Sequence, residues 1–276
     1  SIYGSIDGLT DLLINNPNLS VNTELKAGDK LAYTEGFVDK VIVKNFEKNG
    51  IIPSSGSANV YPKTREEKPC VLAYMPPERM TTSMQVSGTD KMFVDWGDNS
   101  DFQNVTLTQS PVLLNHIMDY DMAEERKVKV YGEFSWRVLN LMESGINKLF
   151  ITRPIRIDEI NMSNLDLDNI EFMGMVSGLS ELNMTGSKVH NLMPLLELVD
   201  LYKLNLSSCR MTTKMLDNYL IGIVKDYRNR RNCNVTIRNT VKPSGEYKRP
   251  DVLSLPQTGM EAIWVLTNER EPEELW

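Results

Sequence analysis

Histidine is almost missing from this chain: His116 and His190 are the only two in 276 residues. Cysteine is scarce as well, and Cys70, Cys209 and Cys233 stand too far apart for a disulfide framework or a zinc spacing. Three scattered thiols and two isolated imidazoles do not assemble a four-ligand tetrahedral site, so no transition metal and no other cofactor is expected. GxSxG, HExxH and a Gly-rich phosphate loop are all absent, which removes the local patterns of hydrolases, zinc peptidases and nucleotide enzymes. The chain therefore reads as non-enzymatic. The acid pairs Asp158 with Glu159 and Asp166 with Asp168 read as solvated turns. Two carboxylates brought together by folding remain the one route to a glycan-active enzyme.

Long apolar runs are absent too, and no stretch approaches the roughly 18 to 20 residues that a transmembrane helix needs. The first residue is Ser rather than Met, which suggests a trimmed or processed fragment. Positive charge is not in excess: the net charge is -7 and the pI near 5.1, against a nucleic-acid partner. The balance is uneven, however. Residues 225–249 hold eight Lys and Arg against Asp226 and Glu246, so that stretch carries +6 and the remainder -13. It reads either as a basic patch for an acidic partner or as cations (Lys225, Arg228, Arg230, Arg231) complementing the C-terminal end of a helix in "TKMLDNYLIGIVKDYRNRR".

What is present is a succession of unlike segments, and the expected class is mixed α and β, multidomain. Residues 1–35 hold a short helical pattern (Leu9, Leu12, Leu13), a stop at Asn15–Pro17 and a Gly28-Asp29 turn. This stretch resembles part of a LysM module, through Tyr3, Gly4, Leu12, Leu13, Asn16, Pro17, Gly28 and Asp29, without the module's opening strand. The resemblance implies binding to N-acetylglucosamine polymers or docking in phage-tail and baseplate proteins. Residues 36–68 read as a helix followed by a Ser-, Gly-, Pro- and charge-rich linker. From 69 to 133 come short β-branched and aromatic segments separated by turn residues, the mark of a small β domain.

Within that domain "VDWGDNSDF" and the following "LLNHIMDYDMAEERKVKVYGEF" resemble the PKD family of immunoglobulin-like sandwiches. Asp95, Trp96, Gly97, Asp98 and Ser100 match its turn, with His116, Tyr120, Val128, Val130 and Gly132 following more loosely. Asn99 stands where that family carries Gly, a position that Asn tolerates at positive φ. The Asp95, Asp98, Asp101 spacing is not that of a calcium loop, so side-chain turn hydrogen bonds are the expected role.

Residues 134–240 carry a repeat. The pattern LxxLxLxx(N/C)xL is met by Leu201, Leu204, Leu206, Cys209 and Met211, and 22 residues earlier by Leu179, Leu182, Met184, Ser187 and Val189. Ile146, Leu149 and Ile151 read as an earlier copy and Val235 with Ile237 as a later one. The segment "IRIDEINMSNLDL" between them reads as a second strand within a coil. This arrangement resembles the leucine-rich repeats of bacterial surface proteins and implies a short solenoid with a parallel sheet. In such a coil Cys209 is a structural ladder residue, and Met162, Met173, Met175, Met184 and Met193 fill gaps in the core. Residues 241–276, apolar at Ala262–Leu266, are expected to cover the solenoid's open end.

Alternation along the strands places Leu182, Met184, Leu204 and Leu206 inward. Glu181, Asn183, Thr185, Lys203, Asn205 and Ser207 then face outward, and Lys148, Phe150 and Thr152 extend the same rows if the Ile146 copy is in register. These residues form the expected binding surface. Together the segments imply a non-enzymatic binding or structural protein at a bacterial surface or in a phage-like tail particle. Its partner would be a protein or, through the LysM-like segment, a cell-wall glycan.

Overall fold

The computed structural model describes residues 68–118, 124–226 and 229–269. The LysM-like segment and most of the linker, residues 1–67, lie outside the described residues, as do Tyr120 and Arg228. What is described is a mixed α and β chain, rich in strands, with one large hydrogen-bonded sheet and two helices. Among the described residues no helix is long and apolar enough to cross a membrane.

The antiparallel part is built from β1 (Val71–Met75), β2 (Thr81–Asp95), β3 (Gln103–Thr106), β4 (Val112–Ile117) and β5 (Arg126–Tyr131). Alternation in β1 and along most of β5 buries Val71, Ala73, Met75, Val128 and Val130 on one face. β2 is long enough to serve two layers. Its first half pairs with β4 and with β6 (Phe134–Asn140), and its last residues pair with β3 and β5. The pairing with β6 shifts register between Ser87 and Gly88. Gly88 is required there, because a Cβ at this position would lie 2.0 Å from the Ser135 carbonyl oxygen.

β6 then starts a parallel series: β8 (Ile155–Asn161), β10 (Glu181–Asn183), β11 (Lys203–Asn205) and β12 (Asn234–Thr236). Leu139, Ile160, Leu182, Leu204 and Val235 lie in register across it. The first four are buried, and Val235 on the last strand is half-buried. Because β6 pairs with β2 on one side and β8 on the other, the sheet runs unbroken through residues 133 and 134.

The return path of each coil differs. It is β7 (Lys148–Ile151) after β6, a 3₁₀ turn at Glu171–Met175 after β8, a second at Met193–Glu197 after β10, and helix α1 (Thr213–Val224) after β11. A short strand, β9 (Val176–Ser177), pairs with the start of β8. Helix α1 is capped by the Thr212 hydroxyl, which accepts from the Met215 N–H, and buries Leu216, Tyr219, Leu220, Ile223 and Val224 at helical spacing. Helix α2 (Gly259–Asn268), capped likewise by Thr258, packs on α1 and buries Ala262, Val265 and Leu266.

Two readings of the repeat need correction. Leu149 and Ile151 do not precede Leu182 in the parallel series, for β7 pairs antiparallel with β1 at the opposite end of the sheet. The preceding copy is instead "IRIDEIN", which is β8 itself and not an extra strand within a coil. Ile157, Ile160 and Met162 stand 22 residues before Leu179, Leu182 and Met184. Core volume, not leucine identity, is what the coil requires, and Ile and Met satisfy it.

Candidate functional site: the open face of the parallel strands

Opposite the buried leucines, the parallel strands present two rows of side chains. The first is Val138, Glu159, Glu181, Lys203 and Asn234, directly opposite one another on successive strands. The second is Asn140, Asn161, Asn183, Asn205 and Thr236, extended onto β2 by Gln85.

In the first row Lys203 Nζ donates to Glu181 Oε2 at 2.7 Å, and the Tyr202 hydroxyl donates to Glu181 Oε1. The Arg231 guanidinium lies over the Tyr202 ring, 4.5 Å from its centroid. The hydrogen bond from Lys203, then that from Tyr202, holds the Glu181 carboxyl below its ordinary range, while the same carboxylate raises both Lys203 and Tyr202. Half-buried Glu159 faces Glu181 across β8 and β10, and its charge also helps to raise Lys203.

The second row is held from within. Each asparagine Oδ1 accepts the N–H two residues on: Asn140 from Met142 (3.1 Å), Asn161 from Ser163 (3.1 Å), Asn183 from Thr185 (3.1 Å) and Asn205 from Ser207 (3.0 Å). The hydroxyls of Ser163 and Thr185 add a second bond to the same oxygens. Each asparagine thus terminates its strand and begins the turn that carries the chain to the back of the coil.

Six of the eight residues singled out from sequence are brought together: Glu181, Asn183, Thr185, Lys203, Asn205 and Ser207. Lys148 and Phe150 are not, because β7 lies at the opposite end of the sheet. There Phe150 meets Tyr74 edge to face at 5.7 Å, and Lys148 Nζ pairs with Glu125 at 3.0 Å. Thr152 leaves the rows with them, its hydroxyl donating to the Pro69 carbonyl. Sequence reasoning missed Glu159, Asn234, Asn140 and Asn161. The recurrence of Asn at 161, 183 and 205 was the available signal, hidden because the template was anchored on leucine.

Behind the sheet a second ladder seals the turns. Ser187 Oγ donates to the Met162 carbonyl at 2.6 Å, and one coil later Cys209 Sγ donates to that of Met184 at 2.9 Å. Burial pushes the thiols of Cys70 and Cys209 up to about 11 and that of Cys233 up to about 12, so all three stay protonated at neutral pH.

The Asp-rich turn is closed by its own carboxylates. Asp95 Oδ1 accepts from Gly97 N, Asp98 Oδ1 from both N and Oγ of Ser100, and Asn99 sits at φ 64°. Asp98 Oδ2 lies 2.5 Å from His116 Nε2, and the imidazole stacks on Trp96 at 4.9 Å. Burial works to raise the Asp98 carboxyl, but the hydrogen bonds from Ser100 and His116 outweigh it and hold the group at about 2.

Three of the described cations of residues 225–249 make side-chain contacts within the fold. Arg230 is buried and donates to the Leu196 and Leu198 carbonyls, Arg231 covers Tyr202, and Arg249 pairs with Glu269. Lys225 directly follows the last turn of α1. Asp158 pairs with Arg156, Asp166 with Lys188 and His190, and Asp168 with Lys148.

Compared with protein-family models, with curated proteins and with solved structures, the chain matches none of them.

Proposed function

We propose that this is a modular, non-enzymatic binding protein whose working surface is the open face of β8, β10, β11 and β12. The parallel series is read as a short leucine-rich-repeat solenoid, and the strands before it as a PKD-like sandwich from which the solenoid grows. The partner is a protein, and the setting a bacterial surface or a phage-like tail particle. The observation that carries this reading is the 22-residue registration of Glu159, Glu181 and Lys203. It aligns polar side chains on adjacent strands and offers them to one partner at once.

The test takes two positions on this face whose side chains make no hydrogen bond or ion pair among the described residues. The double change Glu159→Arg with Asn234→Arg is expected to weaken binding of a captured and purified partner by at least tenfold, with the melting temperature unchanged within about 2 °C. Asn183 and Asn205 are unsuited to the purpose, since each holds a turn. The second reading is a cell-wall glycan binder acting through residues 1–35. It is favoured if the double change has no effect while deletion of residues 1–35 abolishes binding.

A further inference from the structure

Strand β4 is an edge. It pairs with β2 along Thr81–Val86 and with no other strand among the described residues. The Met118 N–H donates to the Met80 carbonyl in the same register, so the alternate residues Val112, Leu114 and His116 turn their N–H and C=O groups toward β2. Leu113, Asn115 and Ile117 turn theirs outward. The same three residues are exposed, and Ile117 at 70% and Leu113 at 58% are the two most exposed large apolar side chains among the described residues. Soluble proteins blunt such an edge with a charge, a proline or a bulge. β4 contains none of these: residues 102–118 hold no Asp, Glu, Lys or Arg, Pro111 lies just before the strand, and the pairing with β2 runs without a shift.

The strand is complementary to itself. An antiparallel pair satisfies outward groups only where an outward residue faces an outward residue. Two copies of β4 related by a two-fold axis between their Asn115 residues set Leu113 opposite Ile117, Asn115 opposite Asn115 and Ile117 opposite Leu113. Each outward N–H and C=O then meets a partner, and each exposed apolar side chain packs on another. With the axis one residue earlier, Ile117 falls opposite Pro111, which has no N–H; with it one residue later, Leu113 lies past the end of the facing strand. Any foreign strand could satisfy the backbone groups, but a second copy also brings its own Ile117 and Leu113 to these two side chains. We infer that β4 is a homodimerisation edge, through which two copies of this chain join in one continuous sheet with Asn115 at the dyad. The interface is isologous and closes at two copies. Gln85 lies opposite Leu113 and Asn140 opposite Gln85, so this edge borders the open face of the coils, and the dimer presents two such faces side by side. The pairing stands whatever those faces bind. A contact between two short stretches falls below the roughly 1,200 Å² of a standard interface, so the dimer is weak and concentration-dependent.

Sedimentation velocity of the full chain is expected to show a monomer–dimer equilibrium between about 5 and 500 µM, with no larger species. Leu113→Lys and Ile117→Asp both change side chains that point to solvent in the monomer. Each should weaken the dimer at least tenfold and leave the melting temperature of the dilute protein unchanged within about 2 °C. Mixing the two variants reads the register. In a mixed pair the introduced lysine faces the introduced aspartate at one end of the strand, and the native Ile117 faces the native Leu113 at the other. The equimolar mixture is therefore expected to recover association, as a heterodimer, that neither variant shows alone. A chain that stays monomeric at the upper concentration overturns the inference. So does a dimer that both substitutions leave intact, which would place the interface elsewhere. A mixture no more associated than its components overturns it as well, because the choice of a second copy rests on Leu113 facing Ile117.

Discussion

At the scale of single residues, the polar side chains of this molecule largely serve its own backbone. Asp98 is the clearest case, holding Ser100 with one oxygen and His116 with the other. Its carboxyl is held below the ordinary value. Its contribution is therefore complete above the unfolded value of 3.8 and is lost as the pH falls through about 2. Asp98→Ala is expected to cost about 1.5 to 3 kcal/mol at neutral pH, the range for hydrogen bonds to a charged group. That difference from wild type should shrink between pH 4 and pH 2 in denaturant titrations, and a constant difference would show that the carboxylate charge plays no part. Turn chemistry of this kind was legible, since Asp, Asn and Ser at fixed offsets around Trp96 have a mechanism attached. The role of Asn183 and Asn205 was not: an outward residue on a strand looks free until the turn that follows it is known.

At the scale of elements, the coils are defined by what they bury. Ile160, Leu182 and Leu204 occupy one buried row on neighbouring strands. Leu204→Ala and Ile160→Ala should each cost on the order of 2 to 5 kcal/mol in equilibrium unfolding. A cost near zero at Ile160 would mean that β8 is not a full member of the series. The strands around Leu182 and Leu204 and helix α1 were readable from periodicity. The placement of β7 was not, because Leu149 and Ile151 satisfy the same alternation whichever strand they join, and only the pairing with β1 decides it. The two 3₁₀ turns escaped notice because five residues are too few for a helical period to show.

At the scale of the whole molecule, the antiparallel and parallel parts share strands. β2 belongs to both layers, and β6 joins the antiparallel strands to the coils. Segments in β1 and β5 should therefore exchange their amide hydrogens with the same opening free energy as segments in β10 and β11, and two well-separated values would show independent units. The same continuity makes the open face a rigid display, with Glu159 beside Glu181 at its centre. The central claim is that this face meets the partner, and the most direct measurement is carboxylate footprinting. The free chain and its complex with the captured partner are labelled with carbodiimide and glycine ethyl ester and read by mass spectrometry. Labelling of Glu159 and Glu181 is expected to fall several-fold in the complex while that of Asp166, Asp168 and Glu171 stays constant. Unchanged labelling of Glu159 and Glu181, with protection confined to the carboxylates of residues 1–35, would contradict it.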